Sequence, residues 1–147
     1  MYTIASTQVI QRKKALLSAR PFGERAREAL GSVLAIAGTR GISHPLFTPG
    51  QGERTGVLVI SSDRGLCGRY NIEINQAVTR FAEEHPGAVF LAVGEKAVRF
   101  LRRRRFHIRR EYVRAYERPN LGFARLLLED ILELFPGELR EVLSLIH

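Results

Sequence analysis

From residue 3 to about residue 37, apolar side chains recur three and four positions apart among Ala, Arg, Lys, Glu and Gln. They fall at Ile4, Val9, Ile10, Leu16, Leu17, Phe22, Ala26, Leu30, Val33 and Leu34. That spacing, filled with good helix formers, predicts one long helical arm with a narrow apolar stripe. Pro21 removes a backbone donor and crowds the preceding turn, so a kink or two abutting helices are expected there. At 1.5 Å per residue such an arm runs about 50 Å, while a compact chain of this length is about 40 Å across. Part of the arm is therefore expected to project.

Residues 38–56 collect Gly, Pro, Thr and Ser without a period and read as a loop. Residues 57–61 form a β-branched apolar run, the kind buried on both faces of a parallel sheet. After it the period alternates: a helix over 71–84 stopped by His85-Pro86-Gly87, a strand over 88–93, a short helix over 95–104 and a weakly alternating edge strand within 106–116. An amphipathic helix over 121–135, closed by Pro136-Gly137, and a last strand over 139–146 complete the pattern. Strands alternating with helices imply right-handed crossovers and a mainly parallel, Rossmann-like α/β sheet. The most economical strand order is about 3-2-1-4, with 57–61 central and the 121–135 helix packed across it through Leu127, Leu128, Ile131 and Leu132. The organisation expected is thus an arm at 1–37, a loop at 38–56 and a globular α/β part at 57–147, one compact domain overall. This order places a topological switch beside the first strand, so residues 62–71 open into the crevice where ligands of such folds commonly bind.

Composition narrows the function classes. With 147 residues and 45% hydrophobic content, the chain is able to offset its conformational entropy by burial, which excludes wholesale disorder. No apolar run approaches the roughly 20 residues of a membrane span, and residues 1–14 lack the apolar stretch of a signal peptide. A cytosolic, soluble protein without direct membrane insertion is expected. The single cysteine, Cys67, excludes a disulfide framework and a multi-cysteine metal site. The balance of 23 basic against 15 acidic residues, net +8, favours acidic or polyanionic partners without identifying one.

Three candidate chemistries follow. The loop Ser61-Ser62-Asp63-Arg64-Gly65-Leu66-Cys67-Gly68-Arg69-Tyr70-Asn71 joins a strand to a helix, and helix N-termini favour anions. It carries neither the three-glycine dinucleotide fingerprint nor a P-loop ending, and a tight structural turn is the simpler reading. Cys67 lies near a helix start, where a thiol pKa can fall, but no partnering base is indicated and a packed, inert cysteine is expected. His44, His85, His107 and His147 lack metal-ligand spacing, so neither a metal site nor a catalytic constellation is found. Arg102, Arg103, Arg104 and Arg105, followed by Arg109 and Arg110, form a basic run suited to phosphate backbones or to an acidic protein surface. With no stacking aromatics beside them, a solvated face complementing a helix dipole is the expected role, and nucleic acid is the lesser reading.

The string Ser62-Asp63-Arg64-Gly65-Leu66-Cys67-Gly68, with Tyr70-Asn71 just after it, closely resembles the gamma subunit of F-type ATP synthases. Ile4-Ala5-Ser6-Thr7 and Ala19-Arg20-Pro21-Phe22 are similar to that family's first helix. Val93-Gly94-Glu95-Lys96 with Arg102-Arg103-Arg104 is similar to its second strand and helix, and Gly137-Glu138 to Leu145 to a later strand, so the likeness covers essentially the whole chain. The resemblance implies a non-catalytic central-stalk subunit of a proton-translocating synthase, needing no cofactor. Such a subunit couples rotation to ATP synthesis through contacts with alpha, beta and epsilon subunits and the membrane ring. Its place would be cytoplasmic, peripheral to the inner membrane, and its loop over 62–71 would be structural or a subunit contact. Arg69 stands where the family has a small residue, and Gln8, Ile10 and Gln11 occupy a normally more basic stretch. The family's further N-terminal segment and long C-terminal helix are not part of this sequence, so the arm is expected to fray over its first 14 residues or to pair with the arm of another copy. Two alternatives stand beside this reading: a gamma-like paralogue binding nucleic acid through Arg102 to Arg110, and a small thiol or ligand-binding protein centred on Asp63 and Cys67.

Overall fold

The computed structural model describes residues 2–65, 67–114 and 121–145. Leu66, Tyr116 and Ile146, and the side chains of Ile4, Gln8, Val9 and Gln11, lie outside the described residues. The chain divides into two units, Met1–Phe47 and Thr48–His147.

The first unit is built on one helix, α1 (Tyr2–Arg40), which runs unbroken through Pro21. The pair of abutting helices expected at Pro21 is therefore not formed. A single missing donor removes one ladder bond, and the good helix formers on both sides keep the remaining bonds in register. The helix also outlasts its expected end at residue 37. It stops at Gly41, whose φ of +62° an L side chain adopts only with strain, and the Ile42 amide there reaches back to the Ala37 carbonyl at 3.0 Å. Ile10, Leu16, Leu17, Phe22, Leu30, Val33, Leu34 and Ile36 are all exposed.

The second unit is a four-stranded sheet in the order β3-β2-β1-β4 with every pairing parallel, as the alternating pattern implied. Its strands are β1 (Arg54–Ile60), β2 (Val89–Val93), β3 (Ile108–Tyr112) and β4 (Leu139–Leu145). Strand β1 begins three residues before its apolar run because Arg54 to Gly56 pair with Leu139 to Val142 of β4. The glycine-rich segment before it is also docked on the chain: a Cβ at Gly52 would stand 1.9 Å from the Glu138 carbonyl oxygen, so only glycine allows that approach.

Helices α2 (Tyr70–Glu84) and α3 (Glu95–Arg103) cover one sheet face, where Val57, Val59, Phe90 and Ala92 meet Ile74, Val78, Ala97 and Leu101. Helix α4 (Leu121–Leu134) serves the other, where Leu58, Val89, Leu91, Val93 and Leu139 meet Leu134 and, half-buried, Phe123, Leu127 and Ile131. Two of the four α4 residues expected in that contact are exposed, Leu128 by 54% and Leu132 by 42%. Each follows a packed residue by one position, or about 100° around the helix. The rotation is held by Asp130, which accepts a hydrogen bond from the Tyr112 hydroxyl and an ion pair from Arg110 at 3.4 Å.

Candidate functional site

Strand β1 delivers residues 61–71 to the carboxyl edge of the sheet, and the polar groups there bond chiefly to one another. The first three amides of α3 take three consecutive acceptors. Ala97 donates to Ser61 Oγ at 2.7 Å, Lys96 to the Ser62 carbonyl at 3.1 Å and Glu95 to Asp63 Oδ1 at 3.0 Å. The amides that begin α3 are thereby satisfied from within the chain. Asp63 Oδ1 also accepts from the Arg114 amide at 3.0 Å, so one oxygen ties the β1 exit both to α3 and to the chain leaving β3. Its second oxygen, Oδ2, is buried and has no hydrogen-bond partner among the described residues. Close approach is what makes the arrangement work: Gly94 has φ +96°, and a Cβ there would stand 2.3 Å from the Ser61 carbonyl oxygen.

The far side of the loop is closed by Ser62, Tyr70 and Asn71. Ser62 Oγ donates to the Arg64 carbonyl at 2.6 Å and accepts from Asn71 Nδ2 at 2.9 Å, while the Ser62 amide donates to Asn71 Oδ1 at 3.3 Å. The Tyr70 hydroxyl donates to the Ile60 carbonyl at 2.8 Å. Burial, with the Cys67 thiol as a lesser cause, pushes the Tyr70 phenol above its usual range. Arg64, Gly65, Cys67 and Gly68 are exposed. Cys67 is therefore not the packed residue expected from the sequence; its thiol lies 3.6 Å from the Gly65 carbonyl at the turn's outer surface. Leu66, beside it, is outside the described residues.

Among the described residues no group of three or more His, Cys, Asp or Glu side chains is placed to hold a metal ion. His44 packs on Phe47 and His85 stacks on Phe81, with ring centroids 5.3 and 4.2 Å apart. The sequence named Ser61 only as the first residue of the loop and Gly94 only within the family likeness, and gave no role to either or to the Arg114 amide, although a glycine between a strand and a helix is a recognisable sign of close approach.

The arginine run is divided by its partners. Arg102 forks onto Glu111, Arg109 meets Glu138 at 3.2 Å, and Arg110 bridges Asp130 and Glu133. The hydrogen bond to Glu133 is the main reason the Arg110 guanidinium holds its proton more tightly than usual. Tyr112 is likewise pushed well up, first by burial and then by its bond to Asp130. Arg103, Arg104 and Arg105 have no carboxylate within ion-pair distance among the described residues, and Arg104 lies 5.8 Å over the Phe100 ring. Half of the run is thus engaged in fixing β3 and α4 within the unit.

Comparison with known proteins adds a likeness over the full sequence. A family model described as ATP synthase matches residues 1–147. The ATP synthase gamma chain of Pelotomaculum thermopropionicum is 30% identical over 148 aligned residues, covering 100% of this chain and 51% of that one. That of Alkaliphilus metalliredigens is 28% identical, covering 100% and 50%, and that of Halothermothrix orenii 33% identical, covering 92% and 48%. The chain spans about half the length of the curated relatives it matches.

Proposed function

The chain belongs to the ATP synthase family, and from that membership we propose that it acts as a gamma-type central-stalk component of an F-type synthase. It would contribute no catalytic site of its own and would couple rotation to ATP synthesis through contacts with alpha, beta and epsilon subunits and the membrane ring. The observation that carries this reading is the match over residues 1–147 to chains named ATP synthase gamma. No helix among the described residues is long and apolar enough to cross a membrane, which agrees with attachment through other subunits.

Within that reading the arm over 1–37 and the α/β part over 57–147, joined by 38–56, divide the work of the stalk. The first offers an exposed apolar stripe for another helix, in a second copy or in a partner subunit. In the second, Ser62, Asp63, Tyr70 and Asn71 build the turn, and Arg64, Gly65, Cys67 and Gly68 at its tip are presented to a neighbouring subunit. Nothing in the geometry favours a nucleic-acid or thiol-enzyme role. Co-expression of the tagged chain with alpha, beta and epsilon subunits should retain at least one of them at low salt, while the purified chain alone hydrolyses no ATP. Recovery of the chain free of every synthase subunit would remove the proposal.

A further inference from the structure

Helices α2 and α3 leave between their outer surfaces a trough of about 430 Å³. Helix α2 lends it Ile72, Asn75, Gln76, Thr79 and Arg80, α3 lends Phe100, and Arg104 follows at the C-terminal cap of α3. The α2 positions are i, i+3, i+4, i+7 and i+8, one continuous stripe about 12 Å long. A stripe of that spacing is what a helix presents to a second helix lying along it. Yet this one looks away from the sheet, for the α2 residues that enter the core are Ile74 and Val78. Its apolar element, Ile72, is 55% exposed.

The polar groups of the trough are left open on one side of the charge balance. Neither Arg80 nor Arg104 has a carboxylate within ion-pair distance among the described residues, and no Asp or Glu lines the trough. Of the basic residues nearby, Arg99, Arg102, Arg109 and Arg110 each meet an acid, while Arg103 and Arg105 share the open charge of Arg104 but do not line the trough. Among the described residues the Asn75 and Gln76 side-chain amides make no hydrogen bond, so each offers a donor and an acceptor to the trough. Arg104 lies over the Phe100 ring at 5.8 Å, which sets a flat cation beside an apolar surface.

We propose that the α2–α3 trough is a docking site for an acidic amphipathic helix of a partner protein. The partner's apolar stripe lies on Ile72 and Phe100, and its carboxylates meet Arg80 and Arg104. An extended apolar peptide would leave both guanidinium groups unanswered. A small molecule would find walls only along the two helices, whereas a helix fills the length of the stripe. Complementary charge then sets the orientation and speeds the encounter more than it adds affinity.

The site is tested on the whole 147-residue chain with three probes: a leucine- and glutamate-bearing amphipathic peptide about four helical turns long, polyuridylate, and vesicles of phosphatidylglycerol. Amide chemical shifts read where each probe binds. The peptide is expected to move resonances of residues 72–80 and 100–104, to lose affinity about fivefold on Arg80→Glu or Arg104→Glu, and to bind more weakly as salt rises. All of these substitutions, with Ile72→Ser, lie on exposed positions, and an unchanged amide spectrum elsewhere confirms that the fold is kept. Peptide binding that maps elsewhere, or that survives the double charge reversal, overturns the proposal. So does a preference for polyuridylate or vesicles at these residues, which would make the trough a nucleic-acid or lipid surface. The readout involves no other synthase subunit, so its failure leaves the central-stalk reading standing, and loss of that reading leaves this one.

Discussion

Asp63 accepts hydrogen bonds from two elements with a single oxygen, from Glu95 at the start of α3 and from Arg114 beyond β3. Removing the carboxylate leaves the part-buried Glu95 amide without an acceptor, at a cost of about 1 to 3 kcal/mol, while the Arg114 amide, at an exposed position, turns to water. Asp63→Ala is therefore expected to lower the melting temperature of the α/β unit by several degrees, and Asp63→Asn, which keeps Oδ1, by less. Equal melting of the wild type and both variants would show that the junction is held by other contacts. Only part of this was legible in the sequence. The string around Asp63 marked the loop as special, but its two donors lie 32 and 51 positions away and no local pattern names them. The exposure of Cys67 was illegible for a related reason: a thiol's burial depends on what the folded chain lays over it, and among the described residues Cys67 is left exposed.

A second residue-scale prediction concerns alkaline pH. The folded state holds the Tyr112 and Tyr70 phenols above their ordinary value of 10.0, Tyr112 the more strongly. A raised folded pKa means that the unfolded chain loses these protons first. The contribution is thus fully present below pH 10 and lost as the pH rises toward the folded values. Stability of the α/β unit should fall above pH 10 by up to about 1.4 kcal/mol per pH unit while Tyr112 stays protonated, with Tyr70 acting in the same direction. Denaturant titrations of Tyr112→Phe should show a shallower loss, because that variant has no phenol to ionise. An identical slope in the variant would assign the alkaline loss to other groups.

At the scale of the element, helix α4 separates what periodicity predicts from what it leaves open. Its apolar residues cover roughly half of the circumference, so the pattern predicts an amphipathic helix without stating which edge of that half is buried. The choice is made by β3: Tyr112 and Arg110 engage Asp130, turning Phe123, Leu127, Ile131 and Leu134 onto the sheet and leaving Leu128 and Leu132 outside. Leu134, 2% exposed, should cost about 2 to 5 kcal/mol on truncation to alanine. The half-buried Ile131 should cost less, and Leu128→Ala should stay within about 0.5 kcal/mol. Thermal melts of the three variants check that ranking, and a Leu128→Ala loss equal to that of Leu134→Ala would reverse the helix orientation described here. Sheet order was the more legible property. Buried β-branched runs and right-handed crossovers admit few arrangements, whereas the start of β1 is set by the β4 ladder, which no local pattern names, and the end of α1 by Gly41, one of several glycines in a segment that reads only as loop.

At the scale of the whole molecule, the two units differ in how their apolar residues are used. The α/β unit encloses two clusters, one on each face of its sheet. The α1 helix is 39 residues long, yet Ile10, Leu16, Leu17, Leu30, Val33 and Leu34 on it are more than 40% exposed. Such a stripe is rarely left in water, since each large aliphatic side chain gains about 1.5 to 3 kcal/mol on full burial. The charge on the molecule, net +8, opposes self-association but does so weakly at physiological salt, where exposed charges are screened within about 8 Å. The isolated chain is therefore expected to form a reversible dimer through its arm, with a fraction that grows with protein concentration and with salt. Leu17→Lys should weaken the dimer about tenfold or more by placing a charge in the seam, while leaving the melting of the α/β unit unchanged. A synthase partner that covers the same stripe should compete, so adding it should convert dimer to heterocomplex. Sedimentation at several concentrations decides the matter: a monomer throughout, or a dimer unaffected by Leu17→Lys, would mean that the arm's stripe is not the surface by which this molecule associates.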